Sequence, residues 1–319
     1  MHRRGPSWIQ RFERHARKTF ADAANKYLEG YEGKDKRRVA YAIRSLIPYI
    51  GHVVLMDVND EALSGYKHDR ANGLGAFTKQ SSSGTINYEI GLAATIMRGA
   101  LELEWIPRVL KLKRVKGPRR QPYPLTWDQQ DGLFAELPVP WREGVILFGF
   151  NTGAREQEIL GLRWEDETQI PELSTSIFML HEQGVKNGEA RPLILNSLSR
   201  LAVDRQRGND SEYVFPSCSN RSKGERMNTL WDTWDAAWKA AGLPTDYWTR
   251  RGPHNMRHTF LHRLRTAGVS EEDRAALAGH GTTLEQDYAW PEIEKLTGIA
   301  ELATIRERTR GVILRRKVA

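Results

Sequence analysis

Apolar residues at Val39, Ile43, Leu46, Ile47 and Ile50 recur at helical spacing, and Ile86, Ile90, Ala93, Ala94, Met97 and Leu101 do the same. Both runs predict amphipathic helices in the first third of the chain. Gly73, Gly75, Ser81, Ser82, Ser83 and Gly84 punctuate the stretch between them as loop. Further on, Thr126 and Gln129 have the spacing of a capping box, which starts a helix near Leu125. Trp141 to Phe150 reads as a compact apolar helix that stops at Asn151-Thr152-Gly153, and a new helix is expected from about Ala154. The pattern then changes period. Ser176 to Leu180 and Ala190 to Leu195 read as strands, joined through Asn187-Gly188, a pair that favours tight hairpins. From Asn255 the residues Met256, Phe260, Leu261, Leu264 and Ala267 form one helical stripe that Gly268 should stop. Ser270 with Asp273 should cap the next helix and Gly279 should end it, while Thr283 with Gln286 reads as another capping box ahead of a short helix carrying Tyr288.

The fold class expected is mainly α with a small antiparallel β-sheet, an α+β arrangement in two domains. The boundary is set by Pro107, Pro118, Pro122 and Pro124, which break a segment crowded with Arg108, Lys111, Lys113, Arg114, Lys116, Arg119 and Arg120. This gives a helical domain over 1–107, a basic linker over 108–123, a second domain over 124–300 and a tail over 301–319. A flexible basic strap suits the counterion-release electrostatics of a nucleic-acid backbone, and equally suits a solvated linker. Lys+Arg 48 against Asp+Glu 40, a formal charge of +8, favours a polyanionic partner over an acidic small molecule. Cys218 is the single cysteine, so an intramolecular disulfide and a cysteine-rich metal site are both excluded. Met1 to Trp8 is basic without an apolar h-region, and no apolar run approaches the roughly 18 residues of a membrane span, so a soluble protein of the reducing cytoplasm is expected.

The chemistry concentrates in the second domain. Arg155 falls in the first turn of its expected helix, where a cation is unfavourable and needs a partner; Glu158, three residues on, lies on the same face. Lys186 belongs to the hairpin tip or its shoulder. His254 and Arg257 stand together at the start of the Asn255 helix, an end that offers free N–H groups to an anion. His280 follows Gly279 directly, and Tyr288 is the last tyrosine of the chain. Each residue alone has an ordinary structural explanation; their joint occurrence is what carries weight.

That order resembles the tyrosine recombinase (phage integrase) family. Thr152-Gly153-Ala154-Arg155-Glu156-Gln157-Glu158-Ile159-Leu160-Gly161-Leu162-Arg163-Trp164 is similar to the family's first arginine box. His254-Asn255-Met256-Arg257-His258-Thr259-Phe260 resembles its H-x-x-R box, and Leu277-Ala278-Gly279-His280 its L-x-G-H element. The likeness runs from about Pro124 to Trp290, and the first domain is similar only in position and helical character to a core-binding domain. The resemblance implies Tyr288 as nucleophile, Arg155 and Arg257 as phosphate clamps, His280 as a further phosphate donor, His254 in proton transfer and Lys186 as general acid for the departing 5′ oxygen. It implies strand exchange through a 3′-phosphotyrosine and a Holliday junction, on double-stranded DNA recombination sites held by a homotetramer, with accessory DNA-bending or directionality proteins as further partners. No cofactor is implied, and neither a nucleotide-binding glycine loop nor a divalent-metal carboxylate cluster is found in the sequence. The tail, with Arg306, Arg308, Arg310, Arg315, Arg316 and Lys317, is a candidate for docking on a neighbouring subunit. Two rival functions share the residues or the scaffold: a type IB topoisomerase, and a sequence-specific DNA-binding regulator that does not cleave.

Overall fold

The structure, a computed structural model, describes residues 17–117, 121–180, 191–209, 211–246, 249–250, 252–279 and 290–306. It divides into two compact units, Met1–Arg119 and Arg120–Ala319.

The first unit is built from α1 (Phe20–Glu29), α2 (Lys36–Ile50), α3 (Ser64–Asn72) and α4 (Ser83–Glu102). Three start at polar caps: Thr19 and Asp22 form a reciprocal capping box on α1, Asp35 caps α2 and Ser82 caps α4. The stripes bury Phe20, Leu46, Ile50 and Ala93 into one core. Tyr66 and Arg70 of α3 reach the buried Glu89 of α4, Arg70 through two hydrogen bonds of 3.0 and 2.8 Å. The basic strap is less free than its composition suggests. Asn87 exchanges two hydrogen bonds with the backbone of Val115, at 2.8 and 3.0 Å, and Asp60 accepts from the Lys113 amide at 2.9 Å. Leu112 and Val115 pack on the first core while Lys111, Lys113, Arg114 and Lys116 stay exposed, so the strap through residue 117 is pinned to the first unit. Arg119 and Arg120 lie outside the described residues.

The second unit opens with β1 (Gln121–Pro122) and α5 (Trp127–Ala135), whose Thr126–Gln129 capping box forms as expected. The apolar helix expected over Trp141 to Phe150 is broken: Val139–Trp141 is followed by a π-helical turn over Arg142–Ile146, with Gly144 out of helical geometry, and then by α6 (Leu147–Thr152). Gly153, at φ +62°, ends it in a conformation that costs an L side chain about 1–2 kcal/mol. Next come α7 (Glu156–Leu160), β2 (Glu167–Ile170), β3 (Thr175–Leu180) and β4 (Arg191–Ile194). These strands make one antiparallel sheet in the order β2-β3-β4, with Ile177 opposite Ile194 and Leu180 opposite Arg191. The apolar runs that mark β3 and β4 have no counterpart in β2, whose middle residues Thr168 and Gln169 are exposed on an edge.

Both faces of β3 and β4 are covered, which is why they read as continuous apolar runs. Phe178 and Leu193 enter the main core with Phe148, Phe150, Ile159, Trp234 and Trp238. Ile177 and Ile194 enter a second core with Phe260, Leu264, Leu277 and Leu296. The remaining helices are α8 (Ser197–Asp204), α9 (Trp231–Ala240), α10 (Asn255–Thr266), α11 (Glu271–Ala278) and α12 (Trp290–Glu301). A two-residue strand β5 (Thr249–Arg250) pairs in parallel with β1, ahead of α10. Buried side chains finish that junction: Thr259 Oγ1 accepts from the Leu125 amide at 3.0 Å and donates to the Asn255 carbonyl at 2.8 Å. Ser270 caps α11 and Gly279, at φ +61°, ends it, as the sequence predicts. The α10 stripe is shorter than expected: the helix stops at Thr266, and Ala267 is exposed. The mainly helical α+β class is borne out. No helix among the described residues is long and apolar enough to cross a membrane.

Candidate active site

Arg155 is the N-cap of α7 rather than a residue of its first turn, so its backbone is extended (φ −73°, ψ 149°) and its side chain is free to fold over the helix start. Glu158 holds it twice. Its Oε2 accepts the Arg155 amide at 2.8 Å and its Oε1 accepts Arg155 Nη1 at 2.7 Å. The second guanidinium nitrogen, Nη2, donates to the carbonyl of Gly279 at 3.3 Å. A side chain from the start of α7 therefore reaches the end of α11, at the residue that precedes His280 in the chain.

Arg257 arrives from the first turn of α10 and is only 1 % exposed. Its Nη1 donates to the carbonyl of Gly153 at 2.9 Å, two residues before Arg155. Its Nη2 is buried and finds no hydrogen-bond acceptor among the described residues. A third guanidinium, which the sequence reading passed over, completes the group: Arg191 at the head of β4 donates Nη2 to Glu158 Oε2 at 2.9 Å and is itself buried. The available signal was the strand alternation, which puts Arg191 on the same face as the buried Leu193 and Leu195.

Among the described residues the cluster brings three guanidiniums to one carboxylate, with Arg191, Arg257 and Glu158 buried and Arg155 partly exposed. Its titration follows. Burial pushes Arg257 down to about 10, the Arg155 and Arg191 charges push the same way, and Glu158 opposes them. Burial acts to raise the Glu158 carboxyl, but the Arg191 charge and the hydrogen bonds from Arg155 outweigh it and leave the acid below its ordinary value. At about 10, Arg257 is still cationic at neutral pH.

His254 precedes α10 and is exposed, its ring edge-on to His258 with centroids 4.7 Å apart. The helix end is less open to an anion than the sequence implied. The Asn255 and Met256 amides donate back to the Gly252 and Pro253 carbonyls, at 2.8 and 3.0 Å, so side chains rather than those two N–H groups face a ligand. Lys186, His280 and Tyr288 lie outside the described residues. Of the tail, Arg306 makes a bidentate pair with Asp131 of α5, both bonds 2.9 Å, and packs on the Trp127 ring; 307–319 lie outside the described residues. No metal-holding group of histidine, cysteine or carboxylate side chains occurs among the described residues.

A mainly helical α+β unit thus gathers arginines from the α6–α7 turn, β4 and α10 around the Glu158 carboxylate. Residues 129–286 match the phage integrase family, and the chain belongs to that family, the tyrosine recombinases. It is 24% identical over 259 residues to tyrosine recombinase XerA of Pyrococcus furiosus, covering 77% of this chain and 85% of that protein. Among solved structures it is similar to a lambda integrase dimer bound to a COC′ core site, with a TM-score of 0.67 and 15% identity over 98% of this chain and 85% of the other. A lambda integrase tetramer bound to a Holliday junction gives a TM-score of 0.64 at 14% identity, covering 90% of this chain and 85% of that one.

Proposed function

We propose that the protein is a site-specific DNA recombinase of the integrase type, in which the arginine cluster binds the scissile phosphate and Tyr288 attacks it. The observation that carries the reading is the convergence of Arg155 and Arg191 on the Glu158 carboxylate beside Arg257, whose buried Nη2 lacks an acceptor among the described residues. A phosphodiester oxygen supplies what such a group lacks, and planar guanidinium forks suit phosphate.

In this mechanism Arg155 and Arg257 hold the non-bridging oxygens, and His280 adds a further donor. As the Tyr288 oxygen bonds to phosphorus, the bond from phosphorus to the 5′ oxygen breaks. His254 takes part in moving the phenol proton, and Lys186 protonates the departing 5′ oxygen. A phenol with its usual pKa near about 10 is a poor nucleophile, so the clamp must stabilise the added negative charge of the transition state. Losing one such preorganised donor typically costs on the order of 3 kcal/mol. The product is a 3′-phosphotyrosine and a free 5′-hydroxyl. A 5′-hydroxyl from another duplex reverses the step and releases Tyr288, one ester being exchanged for another without ATP. Exchange between two duplexes requires four strand cuts, hence four protomers. The lambda integrase tetramer on a Holliday junction, similar in fold, supports that assembly. The exposed Lys111, Lys113, Arg114 and Lys116 would contact the DNA backbone, joined by Arg119 and Arg120. The setting is the bacterial cytoplasm, on nucleoid DNA, with accessory bending or directionality proteins as further partners.

The test is covalent capture. Wild-type protein is incubated with fragmented genomic DNA, quenched in detergent, and the attached DNA is sequenced; a nicked duplex of the recovered site then serves as a suicide substrate. Adducts at one family of sites, absent for Tyr288→Phe, are expected. Binding without any adduct would instead support a non-cleaving regulator, relaxation of plasmids lacking the site would support a topoisomerase, and an adduct with Tyr288→Phe would remove the nucleophile.

A further inference from the structure

Glu158 poses a problem for the clamp it organises. A carboxylate bonded through both oxygens to Arg155 neutralises the charge that Arg155 must offer a phosphate. With Arg155 and Glu158 alone the pair would be closed, and an incoming anion would compete with a buried carboxylate that is already in place. The structure supplies a second cation on the same carboxylate. Arg191 Nη2 sits 2.9 Å from Glu158 Oε2, the oxygen that also accepts the Arg155 amide, and Glu158 is 4 % and Arg191 7 % exposed. The Arg191 side chain also lies close against Gly279: a Cβ there would stand 2.5 Å from Arg191 Cδ and 2.6 Å from its Cζ. The Gly279 carbonyl also accepts from Arg155 Nη2.

Building on the recombinase reading, we propose that Arg191 is a positioning residue of the phosphate clamp, which satisfies Glu158 so that Arg155 keeps its charge for the DNA and which supports the Gly279 turn that leads to His280. Glu158 can then orient Arg155 without cancelling it. Arg191 acts through Glu158 and Gly279, and the phosphate is held by the other two arginines.

The effect is read on the nicked duplex recovered by covalent capture, as the single-turnover rate of adduct formation beside the affinity for the same DNA. Arg191→Met should bind the site within about threefold of wild type and form the adduct about 100-fold more slowly, the scale on which a preorganised charge contributes. Removing the carboxylate as well, in Glu158→Gln with Arg191→Met, should recover at least about tenfold of that rate, because the charge balance around Arg155 is restored. Packing damage alone would leave the double variant no faster than the single one. Arg191→Lys keeps the charge beside Glu158 and should cleave within about tenfold of wild type, so it carries the test if Arg191→Met does not fold. Cleavage by Arg191→Met at the wild-type rate, a double variant no faster than Arg191→Met, or Arg191→Lys slowed 100-fold would each overturn the proposal. Failure of the wild type to form any adduct overturns the recombinase reading and this inference with it, whereas a normal wild type beside an unaffected Arg191→Met overturns this inference alone.

Discussion

Replacing Arg257 by methionine should abolish DNA cleavage and yet leave the DNA-free protein at least as stable as the wild type. The guanidinium is 1 % exposed and titrates at about 10, mostly because burial disfavours its charged form and partly because Arg155 and Arg191 stand nearby. At about 1.4 kcal/mol per pKa unit, that depression means the charged side chain is worse off by about 3 kcal/mol in the folded protein than in water. For a base whose folded pKa lies below its unfolded one, the penalty is fully present at neutral pH and fades only as the pH rises above about 10. Against it stands the bond from Nη1 to the Gly153 carbonyl, whose loss costs about 2 kcal/mol. Methionine replaces the aliphatic stem and is close in volume but ends short of the guanidinium, so some packing is lost as well and the net change should fall between zero and about 1 kcal/mol in favour of the variant. The assay is urea unfolding at pH 7 in low salt, followed by tryptophan fluorescence, since all but Trp8 and Trp105 belong to the second unit. Sulfate should then reverse the order. An anion at ten times its Kd stabilises the wild type by about 1.4 kcal/mol and, with Arg257 gone, should do much less for the variant at matched ionic strength. A methionine variant destabilised by 2 kcal/mol or more in low-salt chloride would refute the reasoning, because Arg257 would then be a net contributor to the fold.

Three further outcomes follow from the same geometry. Glu158→Ala leaves the buried Arg191 and the partly exposed Arg155 without their shared carboxylate and should destabilise the second unit by about 3–5 kcal/mol in urea unfolding. Because the Glu158 acid titrates below its ordinary value of 4.5, its contribution is complete above that pH and is lost as the pH falls through the lower native pKa. The Glu158→Ala penalty measured at pH 7 should therefore shrink in strongly acid solution, and a constant penalty down to the acid transition would contradict the pairing. Gly153→Ala combines a positive φ with a Cβ placed 2.5 Å from the Phe260 ring. It should lower stability by about 2 kcal/mol or more, and a thermal midpoint equal to that of the wild type would show that the α6 terminus is not held as described.

What the amino-acid sequence determines here is whatever is settled within a few residues. The Thr126–Gln129 and Ser270–Asp273 caps, the stops at Gly153 and Gly279 and the stripes of α2, α4 and α10 follow from local hydrogen bonding and helical period. The Arg155–Glu158 pair was legible for the same reason, since three residues on a helix start are neighbours whatever the rest of the chain does. The family boxes added His254 and Arg257 as residue types at fixed spacing. Only the tertiary structure decided that Glu158 is shared with Arg191, 33 residues further along, and that Arg257 is buried with an unmet donor. It alone showed that Arg155 reaches the carbonyl of Gly279, 124 residues away. Those facts depend on β4 being covered on both faces and on α10 and α11 closing over it, and no local pattern encodes the charge a side chain meets across a core. The β1–β5 pair escaped notice for the same reason, its partners being far apart in the chain, whereas β2, which pairs with the adjacent β3, escaped because its exposed Thr168 and Gln169 carry no apolar signal.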